Sequence, residues 1–309
     1  MINKNIILGK KPTVSIGIPA YNEEANIKNL LTALLGQKQD DFELSEIIVV
    51  SDGSFDGTVK EAQSVHSEIT SIINRQERKG KTESQNEILK IFKGDILVLL
   101  DADTIPKNNL FLSCLVKPFS VNPKIGLVGG KVSSLPSENL FEKILNFSVA
   151  MKGEIVESVN FGDNLYLCHG CNRAFSRNLA SQLNWPKIYG EDAYSYLICK
   201  ENGFEFYYEP EAEVFYRLPQ TFKDHLKQSS RFAHSSGILK KIFPEKAIKK
   251  EYAIPKTIIL KKGIKHFFKN PFFFVSYFLI YTTTRILSKT GNKTSALWEI
   301  STSSKSLIK

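Results

Sequence analysis

The chain has 309 residues, 42% of them hydrophobic, which is enough to bury a sizeable core in one large domain or two small ones. Lys and Arg number 41 against 32 Asp and Glu, a formal charge of +9 that asks for an anionic partner and leaves nucleic acid, phosphorylated substrates and acidic lipid heads open. Four cysteines, Cys114, Cys168, Cys171 and Cys199, exclude a disulfide scaffold in a chain of this length and fit a reducing compartment.

Residues 1–11 lack the apolar core and small-residue cleavage site of a secretory signal, so export is not expected. Val14-Ser15-Ile16-Gly17-Ile18 predicts a short strand, followed by the turn Pro19-Ala20-Tyr21-Asn22-Glu23. Ile27, Leu30, Leu31, Leu34 and Leu35 then share one helical face, with Asn22 as its expected cap. The unit recurs: strand Ile47-Ile48-Val49-Val50, the turn from Ser51 to Thr58, then a helix from about Val59. Repeated strand-turn-helix units imply right-handed crossovers and a mostly parallel sheet with helices on both faces.

A third strand, Ser71-Ile72-Ile73, leads into the basic turn Arg75-Gln76-Glu77-Arg78-Lys79-Gly80-Lys81 and a helix from Thr82 to Phe92. Cations and free amides at a helix start suit phosphate or a nucleotide, whereas a solvated basic loop is the plainer reading of this stretch alone. The apolar run Asp95-Ile96-Leu97-Val98-Leu99-Leu100 predicts a strand buried on both faces, and Asp101-Ala102-Asp103 emerges at its end. Two carboxylates there can share a hard divalent cation, Mg²⁺ or Mn²⁺, with substrate phosphates. Without that position, D-x-D reads more simply as surface or capping aspartates.

A helix over Asn109–Phe119, a strand Ile125-Gly126-Leu127-Val128 and a helix between Asn139 and Val159 follow. In Cys168-His169-Gly170-Cys171 the Cys-x-x-Cys spacing has no second cysteine pair to complete a zinc site, and His169 reads as a pocket wall. Gly190-Glu191-Asp192 opens a helical run to Lys200; acidic residues there stabilise the helix dipole, and one facing a pocket would serve as a general base. Strands Phe206–Tyr208 and Val214–Tyr216 precede a helix carrying Gln228-Ser229-Ser230-Arg231-Phe232.

After Gly237 the composition shifts: residues 238–269 hold ten lysines against Glu245 and Glu251, and Asn270–Thr284 is an uncharged, Phe-rich run. That run is short for a span, which needs about 20 apolar residues. It reads first as an interfacial or re-entrant helix, with a span extended past a snorkelling Arg285, or a buried soluble helix, as alternatives. The lysines would add attraction to anionic lipid through residues 238–287.

In this order the motifs resemble the family 2 glycosyltransferases, inverting enzymes of the GT-A fold that use nucleotide-diphosphate sugars. The resemblance runs from about Val14 to Phe232 and implies a catalytic domain over 1–236, with 237–309 a helical, membrane-associating tail at the cytoplasmic face. It implies that Pro19, Tyr21 and Glu23 meet the nucleoside, that Asp52 reads the base, and that Lys81 and Asn86 lie beside the nucleotide. Asp103 would be the direct ligand of Mg²⁺ or Mn²⁺, with Asp101 nearer ribose and sugar and Ala102 between them. Gly170 and Cys171 fall in a stretch similar to the donor-sugar loop, and Asp192 matches the catalytic base, with Glu191 beside it. Gln228-x-x-Arg231-Phe232 resembles the Q-x-x-R-W motif of processive synthases, which touches acceptor and diphosphate, although Phe232 replaces the tryptophan. The implied donor is a UDP-sugar and the acceptor a glycan or lipid-linked sugar; nucleic acid is no longer expected. A processive polysaccharide synthase of the same family, a nucleotidyltransferase and a non-catalytic, membrane-docked nucleotide-sugar binder are the rival readings.

Overall fold

The computed structural model describes residues 11–290 and 306–307; the side chains of 231–236, 289 and 290 lie outside that description. The chain alternates strand and helix through its first third: β1 (Thr13–Ala20), α1 (Ile27–Leu35), β2 (Glu43–Asp52), α2 (Thr58–Gln63), β3 (Thr70–Arg75), α3 (Lys81–Ile91) and β4 (Ile96–Leu100). Then come β5 (Ile105–Pro106), α4 (Phe111–Val121), β6 (Ile125–Ser134), α5 (Leu140–Glu157), β7 (Asn172–Ser176), α6 (Arg177–Ala180), α7 (Glu191–Glu201) and β8 (Glu205–Tyr216). Helices α8 (Phe222–Leu239), α9 (Glu245–Glu251), α10 (Lys256–Lys269) and α11 (Pro271–Thr290) complete the described chain.

One sheet of eight strands runs in the order β3-β2-β1-β4-β7-β6-β8-β5. The first four strands are parallel, as short crossover helices require. β7 is antiparallel to both β4 and β6, and β5 to β8, so the sheet is mixed, with β6 and β8 again parallel. The reversal at β7 sets Asn172 opposite Leu100, which brings the residues just before β7 beside those just after β4. The two short strands expected at 206–208 and 214–216 form the single strand β8.

Each sheet face is covered. α1 and α4 bury Leu30, Leu31, Leu34, Phe111 and Leu115 against Ile16, Ile18 and Val98. On the other face α3, α6 and α7 bury Ile88, Leu179, Tyr196 and Leu197 against Leu97, Leu99 and Phe175. Gly17 is fixed by this packing, because a Cβ there would lie 2.6 Å from Ile88 Cγ2 and 2.8 Å from Leu99 Cδ2.

The C-terminal helices are not a free tail. Phe273, Phe274 and Tyr277 of α11 and Ile258 of α10 pack with Ile144, Met151 and Ile155 of α5 in a third apolar cluster, and the expected boundary at 236/237 falls inside α8. Among the described residues no helix is long and apolar enough to cross a membrane. Asn22 does not cap α1 either. It sits at φ 53, where its Oδ1 accepts from the Phe55 amide at 3.1 Å and its own amide donates to Ser54 Oγ at 3.1 Å, tying the first turn to the second.

Candidate active site

Turns at the carboxyl ends of the parallel strands β1, β2 and β4 lie side by side, where open α/β sheets bind ligands. At the end of β2, Asp52 is buried and its carboxylate accepts from the Lys79 and Gly80 amides at 2.8 and 2.7 Å and pairs with Arg75 at 3.0 Å. These bonds fold the basic turn against the strand end. Gly80 has φ 104, so its amide reaches Asp52 while the next residue starts α3. Gly53, at φ 70, leaves room for Arg78, whose amide nitrogen would be 2.7 Å from a Cβ. Arg78 in turn lays its guanidinium 3.7 Å over the Tyr21 ring, and the exposed Phe55 meets that ring edge-on. This basic and aromatic rim was not evident from the sequence, since its members come from three separate turns.

Two of the expected nucleotide residues face inward. Glu23 is buried, with Oε2 accepting from Asn26 Nδ2 at 2.9 Å. Asn86 clamps the main chain of Trp185, donating to its carbonyl at 2.8 Å and accepting from its amide at 2.9 Å. Pro19 lies on β1 opposite Val50, and Ala102 packs into the core between the two aspartates.

The centre of the site is Lys81, the first residue of α3. Its buried ammonium lies 2.6 and 2.7 Å from the two Asp101 oxygens and 3.0 Å from Glu191 Oε1, with the Gly170 carbonyl at 3.4 Å. Burial opposes its charge, but Asp101 and Glu191 outweigh burial and hold the ammonium well above the ordinary lysine range. A Cβ at Gly170 would stand 2.9 Å from Glu191 Oε1, so a side chain there would press on the Glu191 carboxylate that holds Lys81. The Asp101 amide donates to the Cys171 carbonyl at 3.3 Å, the direct result of antiparallel β7. Burial raises the Asp101 carboxyl despite Lys81, and the neighbouring Asp103 charge adds to the rise.

Asp192 lies in the first turn of α7, after Gly190 at φ 83. Burial and the adjacent Glu191 charge raise its carboxyl to about 6, offset in part by Arg173 and by the Ala193 amide it accepts at 2.7 Å. Burial likewise opposes ionisation of Glu191, but Lys81 and Arg173 prevail and lower it. Glu191 and Asp192 thus titrate apart although they are neighbours. Beneath them Arg173 is fully buried in β7, with Nη1 donating to the Glu191 carbonyl and Ser195 Oγ at 3.0 Å each. In the sequence Asn172-Arg173-Ala174-Phe175 nothing marks Arg173 as buried; its burial follows from the place of β7 inside the sheet.

Asp103 is half-buried, and no hydrogen bond or ion pair to its carboxylate exists among the described residues. No group of three or more His, Cys, Asp or Glu able to hold a metal ion occurs among them. The donor set nevertheless fits a divalent ion of the kind held by one or two carboxylates together with substrate phosphates. Among the described residues, Asp101, Asp103, Glu191 and Asp192 are accompanied by Lys81 and Arg173 as cations, a deficit of two charges when all are ionised. The hydroxyl of Tyr216 is raised by burial and by Cys171 and Asp103 beside it, which adds a phenol to the wall. Burial keeps His169 neutral, with its pKa lowered to about 4, and pushes the Cys168 and Cys171 thiols up. Gln228 is half-buried on α8; Arg231 and Phe232 fall on the same helix, with side chains outside the described residues.

Among relatives, the chain is 26% identical over 238 residues to a poly-beta-1,6-N-acetyl-D-glucosamine synthase of Staphylococcus aureus (strain COL), covering 73% of this chain and 57% of that protein. It is 25% identical over 240 residues to an N-acetylglucosaminyltransferase of Rhizobium meliloti (strain 1021), covering 73% and 56%. The chain therefore spans little more than half the length of these relatives. Among solved structures it resembles mannosyltransferase PcManGT from Pyrobaculum calidifontis, in complex with GDP-Man and Mn²⁺, at a TM-score of 0.59 and 20% identity, covering 93% of this chain and 78% of that one. Glucosyl-3-phosphoglycerate synthase from Mycobacterium tuberculosis, in complex with Mn²⁺, UDP-Glc and phosphoglyceric acid, superposes at 0.55 with 22% identity, covering 79% and 81%. These likenesses establish the GT-A architecture. The family model for Glycosyl transferase family 2 matches residues 15–183, more than half of the chain, and the chain belongs to that family.

Proposed function

We propose that the chain is an inverting glycosyltransferase that moves a sugar from a nucleotide-diphosphate sugar, first of all a UDP-sugar, to a glycan or lipid-linked acceptor at the cytoplasmic face of a membrane. The observation that carries the reading is the Lys81 bridge, which joins the D-x-D end of β4 to the E-D start of α7. In the same cluster lie Asp103, whose carboxylate has no hydrogen-bond or ion-pair partner among the described residues, and Asp192, raised to about 6.

Asp103, with the donor's diphosphate oxygens, would hold Mn²⁺ or Mg²⁺, which when bound supplies positive charge against the charge that builds on the leaving diphosphate. Asp101, anchored by Lys81, lies beside it toward ribose and sugar. Asp192 accepts the proton of the acceptor hydroxyl as that oxygen attacks the anomeric carbon. Attack on the face opposite the diphosphate breaks the sugar–phosphate bond in one displacement and inverts configuration. The Tyr21, Phe55 and Arg78 rim suits the planar base, and Asp52 shapes the turn from which Arg78 projects.

A second reading, processive synthesis, is favoured by the name of the Staphylococcus relative and by Gln228-x-x-Arg231-Phe232. We prefer transfer of one or a few sugars, because Phe232 stands where processive synthases carry tryptophan. The test is incubation with a panel of UDP-sugars and Mn²⁺, beginning with UDP-N-acetylglucosamine because both relatives named above carry that sugar in their names. Release of UDP and an elongated acceptor supports transfer, and product length separates the two modes. Pyrophosphate released from a nucleoside triphosphate would establish a nucleotidyltransferase instead, and donor binding without turnover a binder.

A further inference from the structure

We propose that the outward faces of α10 and α11 form a docking surface for an anionic lipid bilayer, on which the chain lies without crossing it. This surface rests on the membrane placement proposed above and is tested by lipid binding, apart from sugar transfer.

Helix α11 is apolar on two opposite sides. Its inner side, with Phe273, Phe274 and Tyr277, is packed on α5. Its outer side carries Phe272, Val275, Leu279 and Ile286, spaced at three, four and seven residues and therefore on one stripe, with exposures of 61%, 49%, 60% and 65%. On the neighbouring α10, Leu260, Ile264 and Phe268 are also exposed, Phe268 at 78%. Single exposed apolar residues are ordinary, but two adjacent helices that both expose Phe, Leu and Ile present an apolar surface that asks for a partner.

Charge selects the occupant. Residues 256–290 contain no Asp or Glu, whereas Lys256, Lys261, Lys262, Lys265, Lys269 and Arg285 all fall there. Lys262 and Lys265 pair with Glu154 of α5, while Lys261 and Lys269 are exposed beside the apolar stripe. A second copy of the chain would set this basic rim against its own like. Anionic headgroups neutralise it while the acyl boundary takes the phenylalanines, which is the pattern of an interfacial helix. Neither helix is long and apolar enough to cross, so the contact lies in the plane of the surface. The Lys261 and Lys269 side chains would each strengthen binding roughly fivefold near an anionic surface.

The test is co-sedimentation of the full chain with vesicles of phosphatidylcholine alone and of phosphatidylcholine mixed with phosphatidylglycerol. Binding is expected to the mixed vesicles, to weaken with added salt, and to fall at least tenfold in a variant combining Phe268→Ser, Phe272→Ser and Leu279→Ser. The three residues are exposed, so the thermal transition of that variant should match the parent and separate docking from folding. Combining Lys261→Gln with Lys269→Gln should remove the preference for phosphatidylglycerol. Failure to sediment with either vesicle, or binding that survives the apolar substitutions, would overturn the proposal. So would a dimer in sedimentation velocity that those substitutions dissociate without lipid, since the occupant would then be a second copy.

Discussion

Lys81 Nζ lies 2.6 Å from Asp101 Oδ1 and 3.0 Å from Glu191 Oε1, so one buried ammonium fastens the end of β4 to the start of α7. Removing it leaves two carboxylates facing each other in a buried site. Lys81→Met should therefore cost about 3–5 kcal/mol, the usual penalty for breaking a buried pair from one side, and lower Tm by roughly 10 °C. The unpaired carboxylates would bind protons more tightly folded than unfolded, so the deficit should shrink as pH falls. Thermal melts at pH 8 and pH 5 check this, with the larger loss expected at pH 8.

Burial first, and then the Glu191 charge that the clamp holds in place, set the pH dependence of the proposed base. Asp192 is raised to about 6 by burial and by the Glu191 charge, and only its ionised form accepts a proton. The rate should rise with pH through about 6 and level above it. Asp192→Asn should abolish transfer without loss of donor binding. Glu191→Gln removes the adjacent negative charge, so the acidic limb should move to lower pH, while loss of a Lys81 partner reduces Tm. A pH profile of kcat/KM for the parent and Glu191→Gln, with donor binding measured for Asp192→Asn, distinguishes these effects; an unmoved limb in Glu191→Gln would count against the assignment.

How far the sequence could be read follows from what kind of signal each feature leaves. The β-branched runs that became β1, β2 and β4 and the spacing of Leu30, Leu31 and Leu34 are local patterns, and the helices and strands appear where those patterns lie. Strand direction leaves no such trace, so the antiparallel β7 was not foreseen, nor was the approach of Cys171 to Asp101 that follows from it. D-x-D was legible because a strand end is legible. The inward turn of Asn86 onto Trp185 was not, since those residues meet only through tertiary packing. The Phe-rich C-terminal run reads as apolar from the sequence, but its two-sided use, one face on α5 and one outward, depends on where α5 lies.

Asp103 has no partner among the described residues, which makes it the cleanest site to separate metal binding from folding. Asp103→Asn should leave the melting temperature of the free protein unchanged. With Mn²⁺ and UDP present, the parent should gain about 2.7 kcal/mol at a ligand concentration a hundredfold above Kd, and the variant should lose that gain. Transfer should fall on the order of a hundredfold, and a chelator should do the same to the parent. Equal stabilisation of parent and variant by Mn²⁺ with UDP would place the metal elsewhere.

Arg173 acts on this site without reaching its surface. Nη1 holds the Glu191 carbonyl and Ser195 Oγ, Trp185 Nε1 donates to the same two oxygens, and the Arg173 Nε and Nη2 atoms have no hydrogen-bond partner among the described residues. Among the described residues no carboxylate pairs with it directly, yet its charge pulls both Glu191 and Asp192 toward ionisation. A purely structural arginine and an electrostatic one then differ in a measurable way. Arg173→Met fills similar space without charge; it loses the Nη1 bonds to Glu191 and Ser195 and so lowers Tm, but the pH profile is read on the folded protein. The Asp192 carboxyl would lose a cation that favours its ionised form, so the acidic limb of kcat/KM should move to higher pH, with activity at pH 6 reduced several-fold and the plateau largely kept. Arg173→Lys restores the charge and should return the limb toward the parent position. A uniform loss at every pH in both variants would instead assign Arg173 to packing alone.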